Sequence, residues 1–328
     1  MNSRSSTLNL TINQKKVTKK IFKYCEGFTY TDPASGESDS ISLTLNDIDN
    51  KWLNAWFPKK NDALTAKIIT EDWNKQDATQ TLNCGRFYLD QFSVQGAPTA
   101  LTIGGVSSPK SEAFDNTKRN KTWKKTTVYS IVRQIAKRYR LKLVFQANKN
   151  IRIKELEQSS SDDCSFINSL CEKYGIFLKI YNNKIIAFNR ENYKKRKAKK
   201  TINKNDMLSW SYSDSLTGSY TCGKLTYTDP KTDKEVSVTY GKGKRKLVLQ
   251  QEASSRDDAK KQLIAAIKAA NHGLKTLSFS VPGNVSLYAT NNIRITGLGR
   301  IDGKYYIDKV SHSLGSNGFE TTVDCSRV

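Results

Sequence analysis

The fold of this chain turns on the stretch Trp123-Lys124-Lys125-Thr126-Thr127-Val128, whose apolar positions continue at Ile131, Val132, Ile135 and Ala136. Counted from Val128, these positions fall at i, i+3, i+4, i+7 and i+8, which is one face of an α-helix. Thr126 or Thr127 is available as the N-cap. From Asn116 to Lys154 the sequence contains no acidic residue. The stretch therefore predicts a basic, helix-containing segment.

A second helix is predicted downstream. Ser160-Ser161-Asp162-Asp163 fits the Ser-x-x-Asp pattern of a helix start, and Gly175 stands at the C-terminal cap position. Short strands at 177–181 and 184–188, joined by Asn182-Asn183, follow. Between Arg190 and Lys204 lie eight basic residues and one acid, which is typical of a solvated linker. Residues 113–200, called the insert below, are therefore predicted to form a small α/β module with two helices and a basic linker.

On both sides of the insert, apolar residues alternate with polar ones, and this period of two predicts β-strands. Before it, apolar residues alternate through 8–12, 41–45, 85–94 and 100–103. After it, strands are predicted at 208–212, 220–227, 236–240 and 246–250, with one helix between Ser255 and Gly273. Asp302-Gly303 predicts a type I′ hairpin turn that joins 293–295 to 305–307. We expect an α+β, mainly β fold in which a first β zone (residues 1–112) and a second β zone (residues 201–328), each a sandwich or barrel, flank the insert.

Composition restricts the partners and the compartment. With 54 Lys plus Arg against 31 Asp plus Glu, the 328 residues carry a net charge of +23, which suits a nucleic acid, an acidic protein or an anionic surface. A Lys-rich composition can equally be a trait of the genome. Six cysteines without a Cys-x-x-Cys pair, and only two His, argue against a zinc site and for buried thiols in a reducing cytosol. We expect no signal peptide, since the first residues are not apolar, and no membrane span.

Catalytic motifs fail on physical grounds. The glycines at 297, 299 and 303 open a strand, whereas a dinucleotide site needs a helix N-terminus. Residues 46–50 begin like a calcium loop, but the later Gly and Glu are missing, so a turn is expected. Glu112, Glu155 and Glu157 flank the predicted helices without a pattern that pairs them. We therefore expect no enzyme activity, no cofactor and no metal.

Several different short motifs follow one another over about 300 residues. They are Asp49-x-x-Trp52-x-x-x-Trp56-x-Pro58, Gly85-x-Phe87-x-Leu89-Asp90, Gly96-x-Pro98, the Trp123 stretch, Gln158 with Asp162 and Phe166, Gly175, and Gly297-Leu-Gly299-x-x-Asp302-Gly303-x-Tyr305. In this order they resemble the late-control protein D family, the central hub proteins of contractile phage tails.

The resemblance implies two tube-type antiparallel β-barrel domains and a homotrimer whose six barrels mate with a six-fold tail tube on one face and a three-fold spike on the other. It also implies contacts with other baseplate proteins, no specific nucleic acid, synthesis in a bacterial cytoplasm and a final place in a virion or phage-like particle. Two alternatives remain: a protein that binds nucleic acid or cell-wall polymer, and a peptidoglycan hydrolase, which would need an acidic pair. For the first, the candidate anion-facing residues are Lys118, Arg119, Lys121, Lys194, Lys195, Arg196 and Lys197.

Overall fold

The computed structural model describes residues 4–17, 22–73, 76–108, 114–229, 232–316 and 318–328. Within these ranges the protein is mainly β, as the sequence predicted. It has four α-helices, one more than predicted, because the basic run after residue 190 contains a short helix. The predicted boundary between the first β zone and the insert, at residues 112 and 113, lies outside the described residues, as does Glu112. The division into three domains stays a prediction.

Seven antiparallel strands form the first β zone: β1 (Ser5–Ile12), β2 (Lys15–Lys16), β3 (Cys25–Pro33), β4 (Ser40–Asn46), β5 (Ala63–Glu71), β6 (Thr79–Gln95) and β7 (Ala100–Val106). The alternation seen in the sequence has a direct physical cause, because successive side chains of a strand point to opposite faces. Ile41, Leu43 and Leu45 of β4 all point into one core, which they share with Ile68 and Phe87.

The insert contains β8 (Arg119–Thr127), α1 (Val128–Arg138), β9 (Lys142–Gln146), β10 (Arg152–Ser161), α2 (Asp163–Glu172), β11 (Ile176–Tyr181), β12 (Lys184–Asn189) and α3 (Arg190–Lys194). Thr127 caps α1 as predicted, since its side chain accepts a hydrogen bond from the Ser130 amide. At α2 the N-cap is Asp162, and Ser160 belongs to β10, so the predicted Ser-x-x-Asp start is wrong by two residues. The Asn182-Asn183 turn is confirmed, with φ of 47° and 58° at its two residues.

The basic run 190–204 is an ordered segment, so the prediction of a solvated linker is wrong. It forms α3, then β13 (Lys200–Asn203), which pairs in parallel with a strand from the second β zone. Asn292 donates hydrogen bonds to the backbone carbonyls of Tyr193 (2.8 Å) and Arg196 (2.9 Å), and Lys304 donates to that of Lys194 (2.7 Å). Tertiary contacts therefore fix this segment, although its side chains are charged.

The second β zone contains two sheets. One holds β15 (Cys222–Thr228), β16 (Glu235–Gly241) and β17 (Lys246–Gln250), and α4 (Arg256–Ala270) packs against it. The other includes β14 (Ser209–Asp214), β18 (Lys275–Pro282), β19 (Asn292–Thr296), β20 (Gly303–Gly315) and β21 (Gly318–Arg327). Ser255 caps α4, as predicted, by accepting a hydrogen bond from the Asp258 amide.

The terminal hairpin forms, but not through the predicted turn. β19 and β20 are antiparallel, with Ile295 opposite Gly303. The residues between them form a longer connection that contains a 3-10 turn at Gly299–Ile301. Asp302 has φ of −52°, whereas a type I′ turn needs positive φ at both central residues, so that prediction is wrong.

One sheet connects the two β zones. Its strand order is β14-β18-β21-β20-β3-β4-β7-β6-β5-β1-β2, with β19 also on β20 and β13 on β19. β20 of the second zone pairs with β3 of the first from Lys309 opposite Pro33 to Gly315 opposite Gly27. Phe319 and Val285 of the second zone also complete the core of the first. Among the described residues, no helix has both the length and the apolar character to cross a membrane.

Candidate assembly site

The tryptophan motif lies in the segment between β4 and β5. Asp47 organises this segment, because its carboxylate accepts a hydrogen bond from the backbone N–H of Trp52 at 2.9 Å. The Tyr24 ring meets both indoles edge-on, with centroids 6.3 Å from Trp52 and 5.7 Å from Trp56, and Pro58 is buried. The turn expected in place of a calcium loop is confirmed. The motif therefore closes one end of the first core.

Gly85 on β6 explains how the insert approaches the first β zone. Its φ is +103°, and a Cβ atom placed there would lie 3.0 Å from the Tyr181 ring of β11. The Tyr181 hydroxyl donates to the Asn83 carbonyl at 3.0 Å. A side chain at Gly85 would thus require the Tyr181 ring of the insert to shift by a few tenths of an ångström, in addition to the strain of the positive φ. Asp90, further along β6, is half-buried.

A buried carboxylate, Asp163, holds the insert together. It accepts hydrogen bonds from Arg138 of α1, from the Tyr139 hydroxyl (2.6 Å) and from the Gln158 amide (2.9 Å), and Arg119 of β8 lies 3.3 Å away. Burial raises its pKa, but the hydrogen bonds outweigh burial, and the pKa is lowered below its ordinary value. These groups come from one helix and two strands, and Asp163 itself begins α2, so this carboxylate fixes the relative positions of four elements. The ring of Trp123 stacks on that of Phe166 with centroids 6.2 Å apart.

Two further motif positions, Gly175 and Asp302, lie where the backbone makes close contacts. Gly175 has φ of +66°, and a Cβ atom there would lie 3.4 Å from the Cβ of Ala265 on α4, so the end of α2 touches the second β zone. Asp302 accepts hydrogen bonds from the amides of Gly297 (3.2 Å) and Leu298 (2.6 Å), which closes the connection between β19 and β20. Gly303 and Tyr305 follow on β20, and the Tyr305 hydroxyl donates to the carbonyl of residue 301 at 2.7 Å.

The insert and both β zones meet at a buried charged cluster, which we call the junction cluster: Asp32, Asp39 and Lys179. Lys179 of β11 donates to Asp32 of β3, to Asp39 (2.6 Å) and to the Pro33 carbonyl (2.7 Å). The second oxygen of Asp32 accepts from the Ala289 amide of the second β zone at 2.9 Å. One ammonium group and one carboxylate therefore connect three parts of the chain.

Burial sets the ionisation of the junction cluster. It raises the pKa of Asp39 to about 7, an effect that the charge of Lys179 opposes. For Lys179, burial lowers the pKa, but Asp32 and Asp39 outweigh burial and raise it. The Tyr30 hydroxyl donates to Asp39 at 2.7 Å, and burial raises its pKa. Burial also lowers the pKa of the stacked His312 ring to about 4. The raised pKa keeps Lys179 charged at neutral pH, whereas the pKa of Asp39 lies near neutrality.

Sequence reasoning missed the junction cluster. Asp32 and Asp39 belong to none of the sequence motifs, and Lys179 lies within the short strand predicted at 177–181. A signal was present, because Lys179 is the one charged residue in the six of β11 and its strand neighbours are apolar. A charge in a buried strand needs a partner, but the sequence does not name it.

The candidate anion-facing residues divide into two groups on different elements. In the insert, Arg119 is paired with Asp163, and the Lys121 ammonium lies 3.8 Å from the centroid of the Trp123 ring. Lys118 is exposed. Two of these three residues therefore contact the protein itself.

The second group follows α3. The Arg196 guanidinium lies 3.4 Å from the centroid of the Tyr193 ring, and Lys194 pairs with Glu191 at 3.3 Å. Lys195 and Lys197 are exposed. Like the first group, this one is partly engaged in internal contacts, which weakens the case for a dedicated anion-binding arm.

One arrangement resembles hydrolytic machinery in residue type only. Ser326 donates to one oxygen of Asp308, and Nε2 of His272 lies 2.7 Å from the other. In a catalytic triad the imidazole stands between the hydroxyl and the carboxylate. Here the carboxylate is in the middle, so His272 cannot take the proton of Ser326. Among the described residues no group of three or more His, Cys, Asp or Glu is placed to hold a metal ion.

No protein-family model matches this chain. Among solved structures, the 43 kDa tail protein of prophage MuSo2 from Shewanella oneidensis has a similar fold, with a TM-score of 0.73 at 12% identity over 98% of both chains. By sequence, the chain is 25% identical to a probable baseplate hub protein of Escherichia phage 186 and 24% identical to one of Escherichia phage P2. Each alignment covers 96% of this chain and 91% of the relative. The resemblance to baseplate hub proteins that the ordered motifs predicted is thereby confirmed.

Proposed function

We propose that this protein is the structural hub of a contractile tail baseplate, and that three copies form a ring which links a six-fold tail tube to a three-fold central spike. The names of the two phage relatives, which align with nearly the whole chain, support the hub role. The ring of three rests on the resemblance stated above.

The observation that carries the proposal is the pairing of β20 with β3. It joins the two β zones into one sheet, although the insert separates them in the sequence. Each zone also has its own buried cluster. Two linked β units in each of three copies provide six units, the number that a six-fold tube requires, and the trimer keeps three-fold symmetry for a spike.

The alternative, binding of nucleic acid or cell-wall polymer, has the net charge of +23 in its favour. However, four of the seven candidate residues are engaged within the protein: Arg119, Lys121, Lys194 and Arg196. A polymer-binding role also gives no reason for two β zones around an insert. In the hub role, the two β zones supply the two β units that each copy contributes to the ring.

The test is the composition of purified tail particles. Quantitative mass spectrometry is expected to find three copies of this chain per particle, with the tube protein in multiples of six. Immunogold labelling is expected at the end of the tail that carries the baseplate. Absence of the chain from particles, or a copy number other than three, would overturn the proposal.

A further inference from the structure

One face of the three-stranded sheet formed by β15, β16 and β17 is open to solvent. Its other face packs against α4, where Leu225 and Tyr227 of β15 share a core with Leu263. Because side chains alternate along a strand, the residues between these core positions point to the opposite side. The strand register brings them together there, and none of them is buried: Lys224, Thr226, Ser237, Thr239, Lys246 and Val248. We call this surface the open face.

A short basic loop at residues 241–246 joins β16 to β17 at one end of the open face. Its sequence is Gly-Lys-Gly-Lys-Arg-Lys, and all six residues are exposed. The loop is held against the start of β15, because the Thr221 amide donates to the Arg245 carbonyl at 2.9 Å and the Cys222 thiol donates to the Gly243 carbonyl at 3.2 Å. A Cβ atom at Gly243 would lie 2.3 Å from the Thr221 hydroxyl oxygen, so glycine is required for this close packing. The cations of the loop therefore stand on a fixed backbone.

The positive charge of this surface is not neutralised within the chain. Its cations are Lys224, Lys242, Lys244, Arg245 and Lys246. In the part of the chain that the structure describes, no carboxylate forms an ion pair with any of these five residues. The acidic residue of the same sheet, Glu235, lies opposite Thr228 at the far end of β15. Like charges held this close repel one another, and in the single chain only solvent ions offset that repulsion.

We propose that the open face and its basic loop form a docking surface for an acidic segment of a partner protein. This inference goes beyond the hub role and does not depend on it. Charge complementarity provides the attraction, since carboxylates of the partner would neutralise cations that lack a partner in the chain. Val248 is 66% exposed and lies beside Lys224 in the sheet, two residues after Lys246. An apolar side chain among charged ones is the arrangement of a protein interface, which has a less polar centre and a charged rim.

A nucleic acid fits this surface less well. Four of the five cations are lysines, whereas base readout relies mainly on the two-pronged hydrogen bonds of arginine. The open face also offers no ring for base stacking, because Tyr240 pairs with Gly223 on the side of the sheet that faces α4. Among the described strands, β17 pairs with β15 alone, so its other edge is open. An extended peptide can pair with such an edge through its backbone, which a nucleic acid cannot do.

Fluorescence anisotropy of the full-length protein tests the proposal. The probe is a labelled peptide of alternating Glu and Thr, about ten residues long so that it can extend along β17. A short DNA duplex serves as the second probe. Both are titrated at about 50 mM salt, where charges at the surface are only partly screened. Circular dichroism and urea unfolding verify that each variant is folded.

Three variants separate the surface from the net charge. The loop variant replaces four cations with Gln, at Lys242, Lys244, Arg245 and Lys246. The matched control also replaces four exposed cations with Gln, at Lys59, Lys60, Lys260 and Lys261, so both proteins lose the same charge from the wild-type value of +23. The third variant, Val248→Glu, places a carboxylate within the open face and leaves the loop intact.

Wild type and the matched control are expected to bind the peptide with similar affinity. The loop variant should bind it roughly 30-fold more weakly, the combined effect expected of four surface ion pairs. Val248→Glu should weaken binding at least about tenfold, because it removes an apolar contact and repels the acidic peptide. Loss in both variants would show that the loop and the open face act as one surface.

Equal losses in the loop variant and the matched control would mean that only net charge matters, and would overturn the inference. So would a wild-type dissociation constant above about 1 mM for the peptide, or unchanged binding by Val248→Glu. Tighter binding of the DNA duplex than of the peptide, abolished in the loop variant, would identify a nucleic-acid surface and refute a protein partner. The proposed function is judged separately, by the copy number of the chain in wild-type particles.

Discussion

Replacing Lys179 with Met is expected to destabilise the whole chain, because it removes the cation of the junction cluster. Asp32 and Asp39, 4% and 0% exposed, would then remain as two buried carboxylates without their ammonium partner. Removing one partner of a buried ion pair typically costs about 3–5 kcal/mol of folding free energy. The Met side chain has a similar length and retains the apolar contacts of the Lys stem, so most of the loss is electrostatic.

The size of the loss should depend on pH. Asp39, whose pKa is already raised to about 7, can take up a proton when Lys179 is gone and so reduce the cost of burial. We expect the full destabilisation at about pH 8 and a smaller one at about pH 5, where a buried carboxyl with a raised pKa is neutral. Adding Asp39→Asn to Lys179→Met should recover part of the loss, since one of the two unpaired charges is then absent.

Urea unfolding followed by circular dichroism measures the effect. Lys124→Met is the matched control, because Lys124 pairs with Glu155 at 2.8 Å on the surface, with side chains 65% and 55% exposed. That control should change stability far less than Lys179→Met does. If the two Lys→Met variants unfold at the same urea concentration at pH 8, the junction cluster does not stabilise the fold and the reasoning fails.

The remaining predictions concern Asp39 of the junction cluster, the contact between Gly85 and the insert, and the net positive charge of the chain. The pKa of Asp39 is higher in the folded chain than its ordinary value of 3.8, so its contribution to stability is present at low pH and is lost as pH rises through about 7. The urea midpoint of Asp39→Asn should therefore fall less between about pH 5 and pH 8 than that of wild type. Parallel pH profiles of the two proteins would refute this. Gly85→Ala should cost more than Gly36→Ala, since both have positive φ but only Gly85 meets the insert, so their difference in unfolding free energy isolates the contact; equal losses would show that the contact adds nothing. Duplex DNA should not be retained at physiological salt. Retained binding with a log-log salt slope near about −7, as eight phosphate contacts produce, would favour the anionic-polymer-binding alternative if Lys195→Gln with Lys197→Gln abolished that binding.

Local patterns were sufficient for most elements. The period of 3.6 located α1 and α4, and the period of two located β4 and β6, because in both cases one face is buried. Asn182-Asn183 predicted its turn correctly, since asparagine adopts positive φ more readily than most residues. These features depend on neighbours within a few residues, which is the information that a single sequence contains.

The failures have two physical causes. Asp302-Gly303 matches a two-residue turn, but the Asp302 carboxylate instead accepts from amides four and five residues earlier and stabilises a longer connection. The basic run after residue 190 looks solvated, yet its carbonyls accept hydrogen bonds from Asn292 and Lys304, about a hundred residues away. Lys179 finds its carboxylates about 140 residues earlier in the chain. In the last two cases the deciding contact is tertiary, and no local pattern encodes it. At Asp302 the contact is local, but it competes with the two-residue turn that an Asp-Gly pair favours.

A ring that links two symmetries needs a subunit whose parts do not move against each other. In this chain three independent contacts fix them: the pairing of β20 with β3, the junction cluster around Lys179, and the close approach of Gly175 to α4. A flexible subunit would lose conformational freedom when it entered the ring, which would oppose association, whereas a pre-formed one keeps most of its interface free energy. In the proposed ring, the curvature would then be set within the single chain, and a variant that loosens the junction cluster should weaken assembly even though Asp32, Asp39 and Lys179 are buried inside one copy.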